Sequence, residues 1–433
     1  MDIDIRSRRI GARPTLQPGT RRAAAWIAEH ELWWLAVPGG LLLLLGRIPL
    51  WIHWASLLVV PIPWICRRVT YGYSLTRTPL DFPILGVLLM SLIALYPSVD
   101  LQASLSALVQ RLIQFAVFFG IVNRIRSKSE IRIATYLFVT FGVIIALISL
   151  GNTRVPSQKF LAAPHLYSAL ERLRLPYLDV GFHPNFVGGF LAILFPVHLV
   201  LTLFWARSWQ RGVCALGLAV VGFGLLLTQS RGAAVGVIIS MFVISMWRSR
   251  WFGLGVLLAL VGLIVFVRSR GLEPLGDLIL VTEGVSTVAG RLELWQRAIY
   301  MLQDFPYTGI GLNTFGIVAP VLYPFFLIGP DTRAIVHAHN LLLQVGVDTG
   351  IPGLVAFCGL LVSFAMISLD TIRRTRHTDF RALAIGLAGS FIAYFVHGLV
   401  EYVDYSSKPA LAIWVVMGLT VALWFWSREN ASL

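Results

Sequence analysis

Charge is what this chain has least of. Only 13% of its 433 residues are Asp, Glu, Lys or Arg and 57% are hydrophobic, whereas soluble domains run nearer a quarter charged. With a mean hydropathy of +0.78, that shortage excludes an ordinary soluble domain. Acidic residues are the scarcer sign, 21 against 35 Lys and Arg, giving a net charge of +14. In a soluble chain this bias would raise nucleic-acid binding. In a membrane chain, Lys and Arg gather in cytoplasmic loops that face anionic lipid, so membrane lipids are inferred as partners and nucleic acid is not. Cysteine is nearly absent: Cys66, Cys214 and Cys358 stand alone in or beside apolar segments, which excludes a disulfide framework or a cysteine zinc site. The N-terminal region lacks a short apolar core ending at a small-residue cleavage site. Residues 1–31, with Arg6, Arg8, Arg9, Arg13, Arg21 and Arg22, therefore read as a disordered basic cytoplasmic arm and not a signal peptide.

Long apolar runs, by contrast, are plentiful. They fall near 32–46, 50–65, 80–96, 104–122, 133–150, 185–205, 212–228, 233–247, 252–267, 351–369, 382–399 and 409–426. A spanning helix consumes about 20 apolar residues, so the pattern predicts an all-α, polytopic integral membrane protein with about twelve transmembrane helices. Charge orients it. With the N-terminus inside, cytoplasmic segments hold 22 Lys and Arg, outer segments hold 12, and Arg111 lies within a span. Both termini are expected in the cytoplasm. The 32–65 segment is broken by Arg47 and Pro49 and reads as two passes, a re-entrant hairpin being the alternative. The resulting organisation is a basic arm (1–31), nine helices over 32–267 with an outer loop at 151–184, a long outer loop at 268–350, three helices over 351–426, and a cytoplasmic tail (427–433).

The outer loops are far longer than the other connections, and long connections on a compact scaffold usually carry function. In the second, Leu292, Trp295, Ile299 and Leu302 recur at helical spacing and predict an amphipathic helix lying at the outer membrane interface. Beyond it comes His337-Ala338-His339-Asn340, then an apolar stretch ending at Gly350-Ile351-Pro352-Gly353. This reads as a short helix with Gly350 as its stop and His339 and Asn340 in its first turn. A helix N-terminus disfavours an imidazolium, which suits His339 to a general base. The same residues would equally serve to cap a helix at a wet interface.

Two arginines accompany this segment. Arg231 follows Thr228-Gln229-Ser230 at the outer end of a span, where it could also snorkel to headgroups. Arg291 opens the amphipathic segment, on the side of a helix dipole that cations avoid. Guanidinium forks suit a diphosphate. His397, Glu401 and Asp404 could complement these arginines across a cavity mouth, Arg174 lies in the first outer loop, and Arg111 with Gln110 and Gln114 should face the bundle interior. His183-Pro184-Asn185 reads as an entry turn. No metal is implied: His337 and His339 at i, i+2 do not share a helical face, no HExxH motif occurs, and Asp2-Ile3-Asp4 lies away from everything else.

At these residues the sequence resembles the O-antigen ligase and polymerase superfamily of bacterial envelope proteins. His339-Asn340, nine residues, Gly350, two residues, Gly353 matches the pattern H[NSQ]-x9-G-x2-[GTY] in full. Arg291-x3-Trp295-x2-Ala298, continuing to Pro306-x2-Gly309-x-Gly311-x3-Phe315, resembles the signature upstream of it, and Thr228-Gln229-Ser230-Arg231-Gly232 resembles the Arg-bearing span end. The resemblance implies a GT-C-like membrane glycosyltransferase of the bacterial inner membrane. It would be metal-independent and inverting, with no cofactor and a periplasmic site. An undecaprenyl-diphosphate-linked glycan would donate, and a lipid A-core sugar or a second lipid-linked glycan would accept. His339 would be the base and Arg231 and Arg291 would hold the diphosphate, with Asn340, His337, Trp295, Glu401, Asp404 and Arg174 lining the substrate site. The fully matched His motif favours the ligase over the polymerase. A carrier or flippase for a lipid-linked sugar is the alternative from another class.

Overall fold

The computed structural model describes residues 18–43, 48–152, 183–204, 208–248, 288–327, 335–405 and 407–430, with 168–170, 172, 251, 254, 255 and 258 between them. The expected span at 252–267, apart from residues 254, 255 and 258, the arm before residue 18 and candidate Arg174 lie outside the described residues; Pro18–Glu29, expected within a disordered arm, is helical. Apart from the turns and connections between elements, the described residues are helical. In chain order the helices are α1 (Pro18–Glu29), α2 (Glu31–Leu42), α3 (Leu50–Leu57), α4 (Pro61–Tyr71), α5 (Asp81–Ile93), α6 (Leu101–Arg124), α7 (Lys128–Asn152), α8 (Pro184–Phe204), α9 (Ser208–Thr228), α10 (Arg231–Arg248), α11 (Val288–Asp304), α12 (Phe315–Leu322), α13 (Leu341–Arg374), α14 (Thr378–Gly398) and α15 (Ser407–Asn430). Among the described residues, eight helical segments are long and apolar enough to cross a bilayer, and α5 and Arg231–Met246 are shorter apolar helices. The chain is a multi-pass membrane protein.

Local chemistry sets the helix starts. Asp100 caps α6 by accepting from Ala103 N–H at 2.9 Å. Ahead of α7, Ser127 and Glu130 form a reciprocal capping box, Ser127 N–H donating to Glu130 at 3.0 Å and Glu130 N–H to Ser127 Oγ at 3.2 Å. α15 is the axial helix. It is apolar on every side and 89% buried over its spanning window, packing on α6, α13, α14, α8 and α7. Around it α14 packs on α8 and α10, α9 on α8, and α13 on α5. Phe82, Leu137, Leu216 and Val355 point outward, as a lipid-facing surface requires.

The passes alternate consistently. The start of α6, the end of α7, the start of α8, the end of α9, the start of α10, the Leu341 end of α13, the end of α14 and the start of α15 share one face, tied by bonds such as Gln110 Nε2 to Asp404 O at 2.7 Å and Asn185 Nδ2 to Glu401 Oε2 at 2.5 Å. The opposite face carries Arg124, Arg126, Lys128, Arg132, Arg373 and Arg374. There Glu31 at the head of α2 accepts from Arg67 Nη2 at 2.7 Å and Asn123 Nδ2 at 3.0 Å, placing the described N-terminal helices on that face. Asn430 ends on it too. α2 and the α3–α4 segment run out and back, with His53 Nε2 3.1 Å from Leu41 O. At 12 residues α2 itself is only about 18 Å long.

Candidate functional site

The site begins with a backbone arrangement that the glycines permit. α13 continues through Gly350, whose φ of 72° and ψ of −179° put a kink inside it. A Cβ there would lie 2.7 Å from Pro306 O, and Ile351 N–H donates to that carbonyl at 2.7 Å. Gly309, at φ 69°, sits so close to Asp348 that a Cβ would be 2.4 Å from its carbonyl carbon. Ile310 N–H reaches Val347 O at 2.9 Å. The loop after α11 thus docks backbone to backbone on the kink, with Gly309 and Gly350, one glycine from each sequence pattern, on the two sides of the contact. This contact brings α11, with Arg291, to the turn that precedes α13.

That turn carries the histidines. Asn340 is the N-cap of α13, its Oδ1 accepting from Leu343 N–H at 3.0 Å and its Nδ2 donating to Leu399 O at 2.9 Å. His339 stands one residue before the cap and outside the helix, at φ 49°, so the expected first-turn placement is corrected by one step. The i, i+2 histidines are not on a helix. The turn brings their ring centroids to 4.3 Å and points both at Glu401. His339 Nδ1 is 2.9 Å and His337 Nε2 3.4 Å from Glu401 Oε1.

Glu401 is the centre of the site. It lies just past the end of α14, 1% exposed, and also accepts from Asn185 Nδ2 at 2.5 Å and Tyr402 N–H at 3.1 Å. Burial alone would raise its pKa. The facing imidazoles, His339 foremost, outweigh burial and hold it well below the usual carboxylate range. His337 is pushed down to about 3 by burial, Glu401 opposing, and is neutral at neutral pH. Its Nδ1 accepts from His339 N–H at 3.2 Å, so Nε2 carries the proton. The 2.9 Å approach of His339 Nδ1 to the Glu401 carboxylate favours the tautomer with its proton on Nδ1, which leaves Nε2 to face another partner. The ligand atoms of His337, His339 and Glu401 lie within 4.8 Å of one another and by number could hold a cation. A metal on His337 Nε2 would require the proton to move to Nδ1, against the N–H of His339, and the neighbouring guanidinium groups oppose a second positive charge.

Arg291 lies in the first turn of α11, partly buried, and its Nε–H has no partner among the described residues. Burial lowers its pKa, Glu401 opposes that shift, and Arg231 adds to it as a like charge. Arg231, exposed at the start of α10, is near enough for its charge to bear on Arg291. Arg231 starts α10 after a turn in which Gln229 takes φ 51°. Gly232 follows because a Cβ there would meet His397 Cδ2 at 2.8 Å and Val400 Cγ2 at 2.7 Å, which seats Arg231 beside the α14 end that leads into Glu401.

The other expected residues divide. Trp295, one turn after Arg291, is partly buried with an indole N–H that has no partner among the described residues. On α11 the core face is Leu294, Ala298 and Met301; of the expected stripe Leu292 and Ile299 are exposed, while Trp295 packs against that core and Leu302 is half-buried, so the stripe is split between the two sides of the helix. Asp404 does not face Arg231 or Arg291. It accepts from Tyr394 OH at 2.9 Å and belongs with Arg111, which donates to Ser91 Oγ at 2.6 Å and lies 4.0 Å from Asp348. Burial raises Asp404 to about 6. Asn185, read from sequence as an entry turn, holds Glu401. Gln344 and Asp348 were missed, although two polar residues one turn apart in an apolar helix are a legible signal.

Residues 216–358 match the family model described as O-Antigen ligase, a segment holding Arg231, Arg291, Trp295, both histidines and the glycine contact. Over that segment, about a third of the chain, this protein is similar to the O-antigen ligase family. The chain is also similar to the exopolysaccharide production protein ExoQ of Rhizobium meliloti (strain 1021), 32% identical over 130 residues. That match covers 29% of this chain and 29% of ExoQ, less than a third of its length. Asn185 and Glu401 lie outside the O-antigen ligase match and join its residues only in three dimensions.

Proposed function

We propose that this protein transfers a glycan from an undecaprenyl-diphosphate carrier to a sugar hydroxyl at the periplasmic face of the bacterial inner membrane, the opposite, arginine-rich face being cytoplasmic. The observation that supports this reading is that Glu401 lies 2.9 Å from His339 Nδ1 and bears on the charge of Arg291, which Arg231 bears on in turn. His339 Nε2 takes the proton of the acceptor hydroxyl as its oxygen attacks the anomeric carbon. The bond from that carbon to the diphosphate oxygen breaks with inversion. Arg231, Arg291 and the Trp295 indole N–H meet the negative charge that develops on the leaving diphosphate. Glu401 fixes the tautomer of His339 and balances the imidazolium, as the carboxylate of a catalytic triad does. The step needs no nucleotide, because the lipid diphosphate bond already carries the driving force, and the cations supply the charge a metal would otherwise bring.

A lipid A-core sugar is the acceptor in the ligase reading, which the O-antigen ligase match supports. The likeness to a protein of exopolysaccharide production favours a second reading, in which another lipid-linked glycan accepts and the chain elongates. Purified protein offered the same labelled donor with each acceptor in turn separates the two on a gel. Lengthening of lipid A-core marks a ligase, and a ladder of lipid-linked products marks a polymerase.

A further inference from the structure

Between the histidine turn and the kink of α13 stand two polar residues that the proposed chemistry leaves unused. Gln344 and Asp348 are both 0% exposed, and a buried polar group persists only with partners. Gln344 Oε1 accepts from the N–H of Ala338 at 2.7 Å, and its Nε2 donates to Asp348 Oδ1 at 2.7 Å. Ala338 is the residue between the two histidines. Asp348 Oδ1 also accepts from Asn313 N–H at 3.3 Å in the docked loop, and Oδ2 faces Arg111 Nη2 at 4.0 Å. A polar path therefore runs from Arg111 in α6, through α13, to the peptide that carries the histidine rings.

The partners dictate one orientation of the amide. The Ala338 N–H requires an acceptor and the carboxylate requires a donor, so a flipped Gln344 would set donor on donor and acceptor on acceptor. The turn it holds has a non-glycine residue, His339, at positive φ, a conformation that costs about 1 kcal/mol or more and persists only where its surroundings over-determine it. A shift of the Ala338 peptide would carry the His339 ring away from Glu401 and from the acceptor.

We infer that Gln344, locked in one amide orientation by Asp348, is a positioning residue that fixes the His337–His339 turn and with it the His339 ring. The inference rests on the reading of His339 as the base. It predicts a loss in turnover and not in donor binding. Misplacing a reacting group by about 1 Å costs on the order of 100-fold, so Gln344→Met should lower kcat about 10- to 100-fold with the donor KM changed less than about two-fold.

The test uses the full-length protein in nanodiscs, with initial rates and equilibrium donor binding measured on Gln344→Met, Gln344→Glu, Asp348→Asn and the double variant Gln344→Glu/Asp348→Asn. Gln344→Glu alone sets two carboxylates against each other and should lose turnover. In the double variant the new carboxylate accepts from both the Ala338 N–H and the amide at 348, so at least ten-fold of the lost kcat should return. Wild-type kcat in Gln344→Met, a loss carried by donor KM, or no recovery in the double variant overturns the inference, and the double variant decides it should Gln344→Met fail to fold. His339→Ala, run alongside, separates the two readings. Should it turn over like wild type, the base assignment falls; should it be inactive while Gln344→Met keeps wild-type kcat, only the positioning role falls.

Discussion

Glu401→Gln is the substitution whose consequence the geometry fixes best. The carboxylate lies 2.9 Å from His339 Nδ1, and in the transition state that imidazole becomes a cation. At an effective dielectric of about 20, a unit pair at this separation attracts by about 6 kcal/mol, or about four powers of ten in rate. That is a ceiling, because the amide retains part of the hydrogen bond. The amide brings a second fault: it has one acceptor for His339 Nδ1–H, Asn185 Nδ2–H and Tyr402 N–H together, and turning its NH2 to His339 favours the tautomer that blocks Nε2. The variant should therefore lose 10³- to 10⁴-fold in kcat. Donor binding should move the other way. Glu401 is the opposite charge that Arg291 feels, so its removal makes the site more positive and leaves the donor KM unchanged or lower. Initial rates against donor concentration, with binding measured separately at equilibrium, read both quantities. A kcat within about ten-fold of wild type, or a loss expressed only as weaker donor binding, would refute the reasoning.

Other substitutions follow from the same geometry. His339→Ala should abolish transfer while donor binding persists, measured by the same two assays. Arg291→Ala or Arg231→Ala should cost about 10²- to 10³-fold in kcat/KM, the usual loss for one preorganised donor to a developing anion, and Arg291→Lys should recover only part of it because the fork is lost. Gly350→Ala combines a positive φ with a contact to Pro306 O and should destabilise the fold by about 2–4 kcal/mol, seen as a lower thermal midpoint together with lost activity. Asp404 has a pKa raised to about 6. A carboxyl whose folded pKa lies above its unfolded value of about 3.9 loses stability as pH climbs from about 4 through 6. Asp404→Asn should thus raise the thermal midpoint relative to wild type at pH 7.5 and not at pH 4.

Much of this was legible in the sequence because hydropathy is read locally. The helices α6 to α10, α14 and α15 fall within a few residues of the apolar runs, since a bilayer demands a minimum apolar length, while α13 starts at Leu341, ten residues before its run, because the segment from the Asn340 cap is helical as well. Arg231, Arg291 and His339 were recognisable because each sits in a local pattern whose glycines are needed for backbone contact. What could not be read was pairing across distance. Glu401 is a single acid after a span, and only packing of α14 against α8 and α10 turns it toward both histidines. Asp404, three residues on, points instead to Tyr394 and Arg111, a choice made by the short 3-10 turn Val403–Tyr405. His339 was misplaced by one residue because Asn340, with an oxygen that can accept from Leu343 N–H, is the better cap. The i, i+2 argument against shared histidine geometry assumed a helix where the chain forms a turn.

Whether a covalent bond is broken at this site separates a transferase from a carrier. The most direct measurement reconstitutes the purified protein in liposomes with a labelled undecaprenyl-diphosphate-linked glycan and an acceptor, and follows the label and the lipid diphosphate together. Wild type should release undecaprenyl diphosphate in step with glycan appearing on the acceptor, and His339→Ala should release none. Label that crosses the bilayer still attached to its original lipid, at the same rate in both proteins, would contradict the transferase reading.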